Sequence, residues 1–102
     1  MSLILVYITA RNEKEAEKIS LHLLNKKLVA CTNIFPISSL YHWNGKLQKE
    51  KEFVVIAKTI NRNYKLIIKE IEKVHSYDCP CIIKIPIRAN EKYKQWLLSQ
   101  LN

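Results

Sequence analysis

The residues best suited to chemistry gather in one short stretch. Cys79-Pro80-Cys81 follows His75 by four positions. In extended chain, side chains two apart point the same way, so both sulfurs can meet one ion. Thiolate and imidazole together suit Cu(I) or zinc. A closed zinc site wants four ligands. Cys31, on a different strand, could join only through the fold or across a subunit interface. The competing reading makes Cys31 and Cys81 small core hydrophobes, since free cysteine is among the most buried residue types. Lys58 is the other residue out of place. It shares strand parity with Val54 and Ile56, so it either snorkels at a strand end or is partly buried and paired. Glu52, six positions earlier, is too distant along the strand to be that partner. Catalytic readings have less support. No Ser/His/Asp arrangement is legible, and the Cys–His pair lacks a distinctive local motif. A single glycine, Gly45, excludes glycine-rich phosphate loops. His22 and His42 stand alone and read as structural or exposed. The expectation is a binding protein, not an enzyme.

The elements that must hold these residues follow from the hydrophobic pattern. Leu3–Thr9 is β-rich and apolar on both parities, a strand buried on both faces. Asn12 with Glu15 makes an N-cap with a capping-box acid, opening a helix to about Lys26. Leu28–Ile34 is a second strand, where Pro36 requires a bulge, a bend or an edge position. Ile37–Asn44 continues extended to Asn44-Gly45, a strong hairpin signal. The return strand is Glu52–Thr59, after a charged stretch that extends the hairpin into solvent. Asn61 is placed to cap a second helix with Tyr64, Ile67, Ile68, Ile71 and Val74 inward. His75–Pro80 is a loop, Cys81–Arg88 a fourth strand, and Asn90 caps a last short helix presenting Tyr93, Trp96 and Leu97. With one glycine, backbone at positive φ is expected only there and at asparagines.

The order β-α-β-β-α-β-α predicts an α+β ferredoxin-like sandwich with an added C-terminal helix. In that plan both long helices cover one face of the sheet. The first and third strands are apolar on both sides, so the second face needs another cover. A second copy of the chain is the expected one, since an open face of that apolarity would otherwise aggregate.

Composition bounds the partners. The 102 residues make one domain, 1–102. Net charge is +8, yet residues 1–51 carry 8 basic and 4 acidic groups and residues 52–102 carry 9 and 5. Each half has the same excess and no basic tail forms. Arg62, Lys65, Lys69 and Lys73 share a helix face, read as a solvated face beside Glu70 and Glu72 rather than a phosphate-binding ridge. A nucleic-acid partner is not expected. The longest apolar run, Leu3–Ile8, falls far short of the ~20 residues of a membrane span. It follows Met1-Ser2 with no basic region or cleavage signal, so a cytoplasmic location is expected. Three cysteines favour reduced thiols over a disulfide framework.

Several spaced residues resemble one known family. Leu28-Val-Ala-Cys-Thr-Asn-Ile-Phe-Pro36, Ser39-Leu-Tyr-His-Trp-Asn-Gly-Lys46, Lys58-Thr59, His75-Ser-Tyr-Asp78, Pro80, Tyr93 and Trp96 are similar in order to the CutA divalent-cation-tolerance family, essentially end to end. The resemblance implies a ferredoxin-like fold assembled as a tight homotrimer, with long hairpins reaching between subunits. It implies a role in tolerance of divalent metals, copper above all, with copper or another divalent metal as the bound ion. Trp43, Lys58, His75 and Tyr77 match positions the family keeps and could line an inter-subunit cleft. The alternative reading is therefore a trimeric small-ligand sensor or interaction scaffold whose cleft receives an anion. Two departures stand out. The family's His-Pro-Tyr-Glu reads His75-Ser76-Tyr77-Asp78, and its Pro-Glu-Ile reads Pro80-Cys81-Ile82, a thiol in place of a carboxylate.

Overall fold

The apolar run at the start becomes strand β1, Leu3–Ala10, in a computed structural model that describes residues Met1–Asn102. Helix α1, Glu13–Asn25, follows. Asn12 caps it as expected, its Oδ1 accepting from the Glu15 N–H at 2.8 Å. The helix ends differently from expectation. Lys27 takes φ +55°, and the Leu28 and Lys27 N–H groups donate to the Leu23 and Leu24 carbonyls at 3.1 and 3.0 Å. This is a Schellman ending, in which glycine is the usual occupant of the left-handed position. The chain uses lysine there, so positive φ is not confined to Gly45 and the asparagines.

Strands β2, Cys31–Trp43, and β3, Lys46–Ile60, form one long antiparallel hairpin. Asn44 and Gly45 turn it with φ +53° and +75°, both positive as a two-residue type I′ turn needs. β2 runs unbroken through Pro36, which stands opposite Phe53. β2 is an edge strand, so the missing N–H costs no ladder bond on its free side. A 3-10 turn, Asn61–Asn63, leads into helix α2, Tyr64–Val74. Asn61 does not cap that helix; its Oδ1 accepts from Lys84 Nζ at 2.8 Å. Strand β4, Ile82–Ile87, and helix α3, Glu91–Ser99, complete the chain. Asn90 holds the α3 N-cap position with extended backbone and no side-chain cap bond.

The sheet order is β2-β3-β1-β4, all pairs antiparallel. With the element order β-α-β-β-α-β, this is the ferredoxin-like plan with a terminal helix added. Ile4, Val6, Ile8, Val55 and Ala57 point to α1 and α2 and pack with Ile19, Leu23, Ile67 and Ile71. The opposite parity forms the other face. α3 covers only one end of it, where Leu97 packs with Leu3, Ala30 and Ile60. The rest is left open, with Ile83 48% exposed, Ile85 40% and Phe35 37%. β1 pairs with β3 only from Leu3↔Ile60 to Ala10↔Phe53. The hairpin beyond Phe53 is therefore a two-stranded arm, which helps give the molecule its longest dimension of 45 Å. No helix is long and apolar enough to cross a membrane.

Candidate functional site

A cavity of about 740 Å³ lies where the hairpin arm meets the loop before β4. The arm supplies Ser39, Leu40, Tyr41, Trp43, Gln48, Glu50 and Glu52; the loop supplies Ser76, Tyr77, Asp78, Cys79 and Cys81; Thr9 closes it from β1. Register explains the gathering. Glu52 pairs with Ile37, Glu50 with Ser39 and Gln48 with Tyr41, and opposed residues share a face of the sheet. That face is the open one.

Helix α1 fixes the loop. Glu15, 9% exposed, accepts from the Arg11 N–H through Oε1 and from the Ser76 N–H through Oε2, both at 2.9 Å. Burial works against the charge of this carboxylate, but the Arg11 and Ser76 bonds outweigh it and hold its pKa below the ordinary value. The capping-box acid thus reaches past the cap residue and pins the loop, 61 positions away.

His75 anchors the same loop. Its Nε2 lies 2.7 Å from the Thr9 carbonyl, and its Nδ1 accepts from the Tyr77 N–H at 3.0 Å. A carbonyl only accepts and an N–H only donates, so these partners place the proton on Nε2. Both ring nitrogens are engaged, and the imidazole has no lone pair free for an ion.

Tyr77 Oη donates to Glu52 Oε2 at 2.6 Å. Glu52 is 6% exposed and forms no salt bridge; the chain's ion pairs all converge on Glu70 instead. Burial, and after it Glu52, pushes the Tyr77 hydroxyl well above its ordinary pKa. Burial and Glu50 also raise the Tyr41 hydroxyl. Burial raises the Cys81 thiol, partly opposed by Thr9, and Glu52 and Cys79 add to the rise. Each of these groups resists becoming an anion in a site that already carries Glu50, Glu52 and Asp78. No lysine, arginine or histidine lines the cavity. In a chain of net charge +8, this cleft is acidic.

The structure brings Trp43, Tyr77, Cys79 and Cys81 together and leaves three expected partners outside. His75 stands behind the loop. Cys31 and Lys58 face each other at the far end of the sheet, Lys58 Nζ 3.9 Å from Cys31 Sγ and 5.4 Å from the centre of the Tyr93 ring. Lys58 is opposite Leu5, whereas Cys81 lies beyond Ile82↔Ile8, against Thr9. Four residues of strand, roughly 13 Å, separate the two levels. No group of three or more His, Cys, Asp or Glu side chains is set to hold a metal within one chain. The residues that sequence reasoning passed over are Glu50, Glu52 and Asp78. Glu50 and Glu52 sit two apart on one strand parity, the one available signal.

Comparison with known proteins agrees with this architecture. The model of the CutA1 divalent ion tolerance protein family matches residues 4–100. A divalent-cation tolerance protein CutA from Archaeoglobus fulgidus is 44% identical over 93 residues, covering 90% of this chain and 91% of its own. A chloroplastic protein CutA from Arabidopsis thaliana is 36% identical over 96 residues, 92% of this chain and 53% of that one. The solved structure of the Archaeoglobus fulgidus protein, described as a periplasmic divalent cation tolerance protein, superposes with a TM-score of 0.96 at 40% identity over 98% of this chain and 99% of that one. The fold, the run of matched residues and the relatives agree: the chain belongs to the CutA1 divalent ion tolerance family.

Proposed function

We propose that the chain supports divalent-metal tolerance by binding a metal ion in the cleft between the hairpin arm and the Ser76–Cys81 loop. The observation that carries this reading is Glu52, a nearly buried carboxylate with no basic partner in a cleft of like charge. Burying a charge is expensive unless it is paired, and a cation is the ligand that completes the balance. The candidate donors lining the cleft are the carboxylates of Glu50 and Asp78 and the thiols of Cys79 and Cys81, which an ion would have to draw together. Thiolates favour Cu(I) and zinc over hard cations. His75, with both nitrogens engaged, is assigned to hold the loop, and Cys31 to another role at the far end. The cleft's own charge disfavours an anionic ligand, and Lys58 is too distant to reverse it.

The role assigned is binding rather than catalysis, because His75 has no free nitrogen to serve the thiols as a base. We further propose a homotrimer in which copies of the chain cover the open face around Ile83, Ile85 and Phe35. The cytoplasm is the assigned location, since three cysteines, an odd number, favour reduced thiols over a disulfide framework. The test is titration of Cu(I) and Zn²⁺ into the reduced protein. Uptake of one ion per chain is expected, together with its loss in Cys79→Ser/Cys81→Ser and weakening in Glu50→Gln. No uptake, or uptake unchanged in the double variant, refutes the site.

A further inference from the structure

From the placement of the two cleft thiols we infer that Cys79 and Cys81 are a modification site: a hydroperoxide converts them to an intrachain disulfide, which switches the metal site off. The gating half of this inference rests on the metal reading above; the disulfide does not. Both sulfurs line one cavity, Cys79 exposed and Cys81 half-buried. Only Pro80 separates the two cysteines, in a bent segment outside the strands; even fully extended, two steps of chain span about 6.7 Å between Cα atoms, inside the roughly 4.4–6.8 Å that a disulfide bridges. The small remaining approach meets little resistance. Cys79–Cys81 precedes Ile82, the first residue of β4, so these positions lie outside the ladder. Pro80 has no N–H to lose and a fixed φ. The third cysteine, on the far edge strand beside Lys58, does not compete.

The chemistry balances. The Cys79 thiolate attacks one peroxide oxygen. The S–O bond forms, the O–O bond breaks, and the leaving oxygen takes a proton to become water or an alcohol. The Cys81 thiol then attacks Sγ of the Cys79 sulfenic acid, giving up its proton as it does so. The S–S bond forms, and the departing hydroxide takes up that proton to become water. Two thiols lose two electrons in all, and the peroxide gains them. A disulfide closing so short a loop is strained, and strained disulfides are the readily reduced ones. The switch is therefore reversible by a small thiol. Oxidised, the pair has no thiolate to offer a metal.

The experiment treats the full reduced chain with hydrogen peroxide, alkylates the remaining thiols, digests with trypsin and reads masses. Cleavage after Lys73 and Lys84 isolates Val74–Lys84, which holds Cys79 and Cys81 and no other cysteine. The expected peptide lacks two hydrogens, takes no alkyl label, and regains two labels after glutathione. Cys31 stays alkylated throughout. Oxidation of Cys79 to a sulfinic acid with Cys81 still free, or a disulfide to Cys31 or to a second chain, overturns the inference. Zn²⁺ alone, redox-inert, probes the gating: affinity should fall by more than about tenfold on oxidation, as loss of ligands exceeds loss of their supports, and return on reduction. Unchanged affinity overturns the gating. Absence of zinc uptake by the reduced chain overturns the metal reading, while the mass shift decides the dithiol by itself.

Discussion

Replacing Tyr77 by Phe removes one oxygen and one hydrogen bond while leaving the ring in place. The bond lost is the 2.6 Å contact to Glu52 Oε2. A hydrogen bond to a charged group contributes about 1.5–3 kcal/mol, and removing the donor leaves the carboxylate buried without its partner. Tyr77 itself is only half-buried, so water can relieve part of the deficit and the lower end, about 1.5 kcal/mol, is expected. The measurement is urea unfolding at one fixed chain concentration, since the proposed association would contribute to apparent stability. The same substitution in a Glu52→Gln background is the control. There the bond lost is between neutral groups, worth about 0.5–1.5 kcal/mol, and the cost of Tyr77→Phe should fall by roughly 1 kcal/mol, a coupling typical of contacting residues. Equal costs in the two backgrounds, or a cost below about 0.5 kcal/mol in the first, would show that Glu52 is not held as a buried charge. The case for a cation in the cleft would fall with it.

Three further outcomes are expected. Lys27→Gly relieves the left-handed backbone at φ +55° and should raise unfolding free energy by about 1 kcal/mol; thermal unfolding reads it, and a loss of stability would contradict the Schellman ending. Glu15→Ala strands the Arg11 and Ser76 N–H groups and should cost about 1–3 kcal/mol. It should also speed hydrogen exchange at the Ser76 amide; exchange unchanged there would detach α1 from the loop. Glu70, 5% exposed, is held at a pKa of about 2, first by Lys73, against the cost of burial, and then by His22 and Lys26. Its folded value lies below its unfolded one, so its stabilisation is complete above the ordinary carboxylate range and fades as pH falls from about 4.5 towards 2. Glu70→Gln should flatten acid unfolding in that window, and a parent and variant with identical acid profiles would refute the assignment.

Hydrophobic parity and turn chemistry made most of the fold legible, because they are local. Apolar residues on both parities in Leu3–Ile8 and Phe53–Ala57 announced two central strands, and Asn44-Gly45 announced the turn that joins the long hairpin. Local rules were weakest where a tertiary partner decides. Pro36 could mean a bulge, a bend or an edge until the pairing of β2 with β3 alone made it an edge. Asn61 resembles a helix cap, yet Lys84 on β4 takes its side chain. Lys27 adopts a glycine-like conformation because the Leu23 and Leu24 carbonyls hold it there, and no composition rule foresees that.

The cleft was less legible, and the reason is the distance in sequence between its parts. His75, Cys79 and Cys81 drew notice because they are close along the chain, but spacing does not reveal what a ring nitrogen already touches. Thr9 and Tyr77 consume both nitrogens of His75, turning a plausible ligand into a bracket. Glu50, Glu52 and Asp78 are ordinary residues in the sequence and become unusual only when the arm and the loop meet. A protein with 17 basic side chains has ample means to neutralise three carboxylates, and it does so at Glu70, where His22, Lys26 and Lys73 converge. At Glu52 it supplies a tyrosine hydroxyl, which bonds to the charge without cancelling it. Folding alone gains nothing from concentrating like charges beside a buried carboxylate, since repulsion and desolvation both oppose it. An uncompensated cluster of like charge in a cleft supports the proposal of a site over that of a mere support, and on that proposal the missing charge gives the sign of what the site receives.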